Sequence, residues 1–354
     1  MLTRLRLSRF RCYGSLDWEI PAEGAALVGG NAQGKTSLLE AVCLALTLHS
    51  PRASRLDRLA QHGADSFGIS LEGEDATRRL VWERGRRVSL RLNGADCADY
   101  GDFLANSPPV AWLGNSDIML VRGAAEERRK YLNFLGAQWH PGYRCALQAY
   151  NKALKSRNAL LRNPRRNAAA LHSYAEVLAR HGSVLMQLRE RLLNLLLPHI
   201  SHNHRRISGG SEPVGLAYAP SAPADLLAAI SAAAEADERA GCTTVGPHRD
   251  DFLLEIAGAA AADYASEGQQ RTLATAMQMA QADLLQAETG LSPVVLIDDI
   301  FGELDGARRQ ALLALLPESS QVFITTTSAD WLKSTSLPVR KVENGTVGVM
   351  DGVF

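Results

Sequence analysis

The sequence predicts an α/β protein built on a mixed, largely parallel sheet and split by a mostly helical, basic insert. Three observations predict it. A glycine-rich loop, Gly29-Gly30-Asn31-Ala32-Gln33-Gly34-Lys35-Thr36, sits between an apolar strand and a helix start. An apolar run, Pro293–Asp299, reads as a buried parallel strand ending in two carboxylates. Between them, from about Arg122 to Arg239, helical spacing dominates and positive charge accumulates.

The N-terminal part reads as mainly β with one long helix. Leu5 and Leu7 alternate with Arg4, Arg6 and Ser8, as in a strand with one exposed face. Ile69–Leu71, Leu80–Trp82 and Val88–Leu92 are further short strands, and Asn93-Gly94 is a hairpin turn. The glycine loop follows the strand Ala25–Val28 and opens a helix expected from Thr36 to about Leu48. Its glycines let backbone N–H groups surround phosphate oxygens; Lys35 reaches the β- and γ-phosphates and the Thr36 hydroxyl ligates Mg²⁺. The candidate nucleotide-binding residues here are Gly29, Gly30, Asn31, Ala32, Gln33, Gly34, Lys35, Thr36 and Ser37, with Arg11 as a further phosphate contact.

The insert is expected over residues 122–240, with residues 1–121 and 241–354 forming the head around the loop. Between Arg144 and Arg206 there are twelve Lys or Arg and only two acids, Glu176 and Glu190, in a chain that is neutral overall. Positive charge without interleaved acids favours a polyanion. Lys152, Lys155, Arg157, Arg162, Arg165 and Arg166 are the candidate DNA contacts. Val214, Leu216 and Tyr218 give the best strand signal in this segment.

After Gly241 the α/β character returns. Ser266, Gly268 and Gln269 open an amphipathic helix marked by Leu273, Met277, Ala280 and Leu284. A serine, free N–H groups and the positive end of the helix dipole there can face an anion. Asp298 is the candidate metal ligand opposite Thr36, and Asp299 is placed to orient or deprotonate a water. Gln321–Thr325 is another buried strand, and Asn344-Gly345 a second hairpin turn.

Bulk properties narrow the class. Five scattered cysteines without a C-x-x-C pair indicate neither a zinc site nor a disulfide framework. His199, His202 and His204 lack the acid or cysteine pattern of a metal site. The arginine-rich start is no signal peptide, and no apolar run approaches the roughly 20 residues a membrane span needs. These features lead us to expect a reduced, soluble, cytoplasmic protein.

The phosphate loop, Ser266-Glu267-Gly268-Gln269, Asp298-Asp299 and Gly302-Glu303-Leu304-Asp305, in this order, resemble the ABC-type ATPases. That resemblance implies an ABC-type P-loop ATPase head, ATP and Mg²⁺ as ligands, and an ATP-dependent homodimer. In such a dimer the Ser-x-Gly-Gln of one protomer completes the nucleotide site of the other. The insert is longer than that of transporter ATPases and too short for an SMC-type coiled coil. This intermediate length is similar to the RecF family. So are Arg9–Tyr13, Gln33–Ala41, Arg128–Leu132, Tyr150 with Leu154, Arg157-Asn158 and Leu160-Leu161, Gly246-Pro247-His248-Arg249-Asp250-Asp251, and Gln269–Leu273. The RecF resemblance implies DNA binding near gaps and single-strand/duplex junctions, and help in loading RecA together with RecO and RecR. Two other functions fit the motifs: an ATP-binding scaffold without useful turnover, and a membrane-complex ATPase subunit.

The chain departs from that family's pattern at several positions. Ala32 stands where a glycine is usual; a Cβ is tolerable there at negative φ and costs about 1 kcal/mol or more at positive φ. Asn133 replaces an Asp, Thr327 a switch His, and Asp299 a longer catalytic Glu, while Trp112–Asp117 lacks a clear Q-loop glutamine. The resemblance with these departures implies firm ATP binding and slow, DNA-stimulated hydrolysis through Lys35 and Asp299.

Overall fold

The apolar runs that the sequence places at either end of the chain assemble into one largely parallel sheet. The computed structural model describes residues 1–114, 117–163, 167–210, 212–302, 306–329, 331–332 and 335–350. The chain divides into two compact units, residues 1–116 with 285–354, and residues 117–284.

The first unit holds strands β1 (Leu2–Phe10), β2 (Tyr13–Glu19), β3 (Gly24–Val28), β4 (Ser66–Gly73), β5 (Thr77–Glu83), β6 (Ser89–Leu92), β7 (Ala95–Asp96) and β8 (Val110–Gly114), with helices α1 (Lys35–Thr47) and α2 (Tyr100–Leu104). Alternation on β1, β4 and β5 buries Leu5, Leu7, Ile69, Leu71, Leu80 and Trp82 on one face. These strands form an antiparallel sheet of order β2-β1-β4-β5-β6-β7. Asn93 and Gly94 both take positive φ, 52° and 83°, as the turn expected there requires.

A second sheet in this unit joins β3 and β8 to β12 (Val294–Asp298), β13 (Gln321–Thr326), β14 (Val339–Glu343) and β15 (Thr346–Val349), in the order β15-β14-β3-β13-β12-β8. All pairs except β14 with β15 are parallel. β3 and β13 are buried along their whole length, and β12 is buried up to Asp298, where the strand surfaces. Helix α1 is buried from Ser37 to Leu46, as a helix apolar on all sides must be.

The second unit carries α3 (Ile118–Arg122), α4 (Ala125–Trp139), α5 (Pro141–Leu161), α6 (Ala168–Ser208), α7 (Leu226–Ala232), α8 (Ala234–Ala240), α9 (Ala261–Tyr264) and the start of α10 (Glu267–Thr289). A three-stranded sheet of order β11-β10-β9 joins β9 (Val214–Ala219), β10 (Asp251–Ile256) and β11 (Ala259–Ala260). Tyr143, Ala146 and Tyr150 of α5 pack with Leu178 and Leu185 of α6 and with Leu226 of α7. In the first unit, α11 (Gly306–Leu313) lies in sequence between β12 and β13.

The division differs from the expected insert of 122–240, because residues 241–284 group with the helices. β10 pairs with β9 along its length, Tyr131 Oη donates to the Met277 carbonyl (2.9 Å), and Asn203 Nδ2 donates to Asp283 (2.7 Å). Those long-range bonds were not legible in local composition.

Candidate nucleotide-binding site and basic insert

Close backbone packing shapes the glycine loop. A Cβ on Gly29 would lie 2.2 Å from the Val342 carbonyl oxygen, so only glycine can leave β3 along β14. Gly34, at the start of α1, has φ 104°, and a Cβ there would fall 2.7 Å from both Tyr13 Oη and Cys12 Sγ. The buried Tyr13 hydroxyl donates to the Gly34 carbonyl (3.1 Å). Gln33 accepts the Asn344 N–H through its side-chain oxygen (2.8 Å), which ties the loop to the β14–β15 turn.

Asn31 and Ala32 are exposed at the tip of the loop, and Ala32 has φ 63°. The left-handed backbone costs a residue with a Cβ roughly 1–2 kcal/mol. The alanine therefore stands at a position whose geometry calls for glycine. Among the described residues no side chain caps α1, and its first turn has no acid. Its leading N–H groups and positive dipole end thus remain for an anion.

Lys35 is folded into the loop, its ammonium donating to the carbonyls of Gly29 (2.6 Å) and Gly30 (2.8 Å). Burial holds its pKa below the ordinary lysine value, and the Asp299 and Asp298 carboxylates pull it back up. Ser37 is buried in the first turn of the helix. The Thr36 hydroxyl donates to Asp298 Oδ1 at 2.7 Å. A hydroxyl and a carboxylate in contact are the hard oxygen donors that Mg²⁺ takes, so these residues fit the ion.

Thr325 is a site residue that sequence reasoning missed. It is fully buried; its hydroxyl donates to the same Asp298 oxygen at 2.7 Å and accepts the Asp299 N–H at 3.0 Å. A β-branched residue near the end of an apolar run reads only as a strand former. The register that sets Asp298 against Thr325 is what reveals it. Asp299 itself has φ 53°, a left-handed residue immediately after the strand.

Arg11, the further phosphate contact expected from the sequence, bonds to other groups in this structure. Its guanidinium makes two 2.8 Å bonds to Glu40 and a third to the Arg58 carbonyl (3.0 Å). Glu40 is fully buried in α1 and also accepts from Ser50 (2.6 Å), so Arg11 supplies the charge that this carboxylate needs.

Ser266, Gly268 and Gln269 lie in the second unit, at the start of α10. The Ser266 hydroxyl accepts the Gln269 N–H (3.3 Å) while the Gln269 side-chain oxygen accepts the Ser266 N–H (2.9 Å), a reciprocal capping box. Gln269 also donates to Glu212 (2.8 Å). Ser266 is exposed, so this helix start is accessible. Gly302 is exposed; Glu303, Leu304 and Asp305 lie outside the described residues.

In the insert, Lys152, Lys155 and Arg162 are exposed, whereas Arg165 and Arg166 lie outside the described residues. Arg157 is a correction to the expected DNA contacts. It is buried, with Nη1 donating to Asp237 (2.6 Å) and Thr243 (2.7 Å), and Asp237 is fully buried. Its charge is spent inside the protein. Arg189 is likewise buried beside Asp250, so among the described residues two of the cations counted in this segment face inward.

The string Gly246–Asp251 proves to be a hub within this unit. Arg189 donates to the Pro247 carbonyl (2.6 Å), Tyr150 contacts His248 Nδ1 (2.7 Å), and His248 Nε2 contacts the Thr243 carbonyl (2.9 Å). A carbonyl only accepts, so Nε2 carries the hydrogen and Nδ1 accepts from Tyr150. Asp250 accepts from Tyr218 and the Ser221 N–H, and Arg128 forks onto Asp251 at 2.6 and 2.8 Å. These bonds tie the string to α4, α5, α6 and β9 of the same unit.

Comparison with known proteins places the chain. A family model described as an AAA domain matches residues 4–106. The DNA replication and repair protein RecF of Synechococcus sp. (strain JA-3-3Ab) is 38% identical, over 94% of either chain. The protein of the same name from Rippkaea orientalis is 35% identical, over 98% of this chain and 99% of that one. A solved structure of the recombination mediator protein RecF-ATP in the RecFOR pathway matches 99% of this chain and 97% of its own, with TM-score 0.88 and 27% identity. An Smc head bound to the C-winged helix domain of ScpA, 18% identical with TM-score 0.56, shares the ABC-ATPase head fold.

Proposed function

The chain belongs to the RecF family of DNA replication and repair proteins, and from that premise we propose that it is an ATP-gated DNA clamp. The observation that carries this reading is the 2.7 Å contact between Thr36 and Asp298 beside a loop already threaded by Lys35. Gly29–Ser37 would hold the phosphates of ATP, with Thr36 and Asp298 holding Mg²⁺. The RecF-ATP neighbour, alike over almost the whole chain, supports the choice of nucleotide.

In this reading a second copy of the chain presents Ser266, Gly268 and Gln269 to the bound nucleotide, and two inserts close on duplex DNA. Lys152, Lys155 and Arg162, with Arg165 and Arg166, release counterions from phosphates and give affinity that is mostly independent of sequence. Binding near gaps and single-strand/duplex junctions, and assistance to RecA loading with RecO and RecR, extend the family role to this chain. Among the described residues no helix is long and apolar enough to cross a membrane. Asp299 positions the attacking water, and its short, left-handed placement together with the exposed Thr327 supports slow turnover.

Replacing Lys35 by Met tests the gate. Gapped-duplex binding measured with and without ATP should lose its ATP dependence in that variant; an unchanged ATP effect would sink the clamp. A second reading, a scaffold that binds ATP without useful turnover, draws on the strained Ala32. Single-turnover hydrolysis with and without duplex DNA separates the two, because only the clamp predicts stimulation.

A further inference from the structure

Within the second unit, α4, α5, α6 and the Gly246–Asp251 string surround a concavity of about 270 Å³, well apart in sequence from the phosphate loop. Its polar lining includes Arg129, Lys130 and Asn133 of α4, Asn151 of α5, Arg189 of α6 and His248. The hydrogen bonds behind this wall determine what it can offer to a ligand.

Asn133 Oδ1 is taken twice, by the Tyr143 hydroxyl (2.9 Å) and by Arg189 Nη2 (3.1 Å). Only its NH₂ group remains to face the cavity. Tyr150 spends its hydrogen on His248, and His248 spends its own on the Thr243 carbonyl. Arg129 gives one N–H to the Asp250 carbonyl (2.8 Å), which leaves Nε and Nη2 without a bond to any described residue. Asp250 and Asp251, the acids that compensate Arg189 and Arg128, belong to the string behind and do not line the cavity. Glu126 is the one acid of the lining, and Lys130 holds it at 3.0 Å.

Apart from the oxygens of Glu126, Asn151 and Tyr150, the free valences of this wall are donors, and Arg129 and Arg189 crowd one another. Burial, and next the Arg189 charge, hold the Arg129 guanidinium below its ordinary value, against the opposing pull of the Asp251 and Glu126 carboxylates. Like charges gathered in a half-buried concavity are favoured when an anion joins them. Arginine and amide N–H groups match the several acceptor oxygens of a phosphate. An apolar ligand would leave these donors unpaired.

We infer that the Arg129–Asn133–Arg189 cavity is a binding site for a phosphate group, separate from the nucleotide loop. The inference stands on the donor inventory of this cavity and does not rest on the DNA-clamp reading. Asn133 is the decisive residue, since a carboxylate in its place would fill the charge vacancy from within. Asn133→Asp should keep the Arg189 bond, and so keep the fold, while expelling the anion.

The test uses the full chain in a Lys35→Met background, which weakens phosphate binding at the loop. Thermal unfolding is followed as inorganic phosphate is added at constant ionic strength. The background protein should rise in Tm, and Asn133→Asp and Arg129→Gln should lose most of that rise while unfolding no earlier than the background protein in its absence. In a second arm, gapped duplex carrying a 5′-phosphate or a 5′-hydroxyl at the gap is titrated onto the Lys35-intact protein and its Asn133→Asp variant. A preference of severalfold for the 5′-phosphate that disappears in Asn133→Asp assigns the phosphate to a DNA end. A phosphate-dependent Tm rise lost in the variants, with equal DNA affinities, assigns it to a free phosphate or nucleotide. If phosphate moves Tm equally in all three proteins, or in none, and the 5′-phosphate preference is absent or survives Asn133→Asp, the site is overturned.

Discussion

The Thr36 hydroxyl and the Asp298 carboxylate meet at 2.7 Å although 262 residues separate them in the chain. The contact exists because β3 and β12 flank β13 in one parallel sheet and end at the same edge. Thr325, near the end of β13, donates to the same oxygen. One carboxylate oxygen is thereby aimed by two hydroxyls, one from the first turn of α1 and one from the end of β13.

Thr325→Val keeps the shape of the strand and removes one of those donors. A hydrogen bond to a charged group contributes about 1.5–3 kcal/mol, so the Mg²⁺-dependent part of ATP affinity should fall about tenfold or more. Calorimetric titration of ATP with Mg²⁺ and with EDTA measures it. Equal losses under both conditions would mean that Thr325 supports the strand rather than the ion.

Ala32→Gly addresses the loop tip. At φ 63° the alanine pays for its Cβ, while glycine's greater freedom in the unfolded chain offsets part of the relief. The net expectation is a gain of up to about 1 kcal/mol in unfolding free energy. Turnover measured alongside should rise or hold. A clear loss of stability in urea titration would show that the methyl group makes contacts that outweigh the strain.

Part of this site was legible in the sequence for a physical reason. The loop, the helix behind it and the Asn-Gly turns are local, and their residue types are dictated by backbone geometry within a few positions. The carboxylate strand is legible because burial on both faces demands an unbroken apolar run. Arg157 was misread, and Thr325 and the Glu40 partner of Arg11 were missed, because the partners are remote. Arg157 looks like one more cation in a basic stretch until Asp237, 80 residues on, is found buried against it. Composition counts charges; only the fold says which ones face water.

Arg157 and Arg162 should therefore part company when truncated. Arg157→Ala strands Asp237 as a buried, unpaired carboxylate, which costs about 3–5 kcal/mol. Arg162→Ala removes an exposed side chain and should change stability by less than about 0.5 kcal/mol. DNA affinity should respond the other way round. Arg162→Ala weakens binding evenly across sequences and lowers the salt slope by about one unit if it meets a phosphate. Chemical denaturation and salt-titrated anisotropy, run on both variants, decide the matter. Equal stability for the two would return Arg157 to the surface.

The histidine at the centre of the hub sets a pH dependence. Burial, above all, holds His248 below its ordinary value, with Arg249 and Arg129 acting in the same direction and the Thr243 carbonyl and Asp250 opposing. Both ring nitrogens are already engaged, so a proton on Nδ1 would break the bond from Tyr150. In the unfolded chain the same imidazole takes up a proton as pH falls through about 6.5. Below that pH the unfolded state binds more protons than the folded state, and stability declines with falling pH until the lower folded pKa is passed. The slope from one such group is at most about 1.4 kcal/mol per pH unit. His49 and His204, also shifted down by burial, add slopes of the same sign. His248→Gln, which can accept from Tyr150 and donate to Thr243, should lose one proton's share of that slope between pH 6.5 and the lower folded pKa. Unfolding free energies measured at intervals through this window test it; parallel curves for the two proteins would show that His248 takes its proton as readily inside the fold as outside.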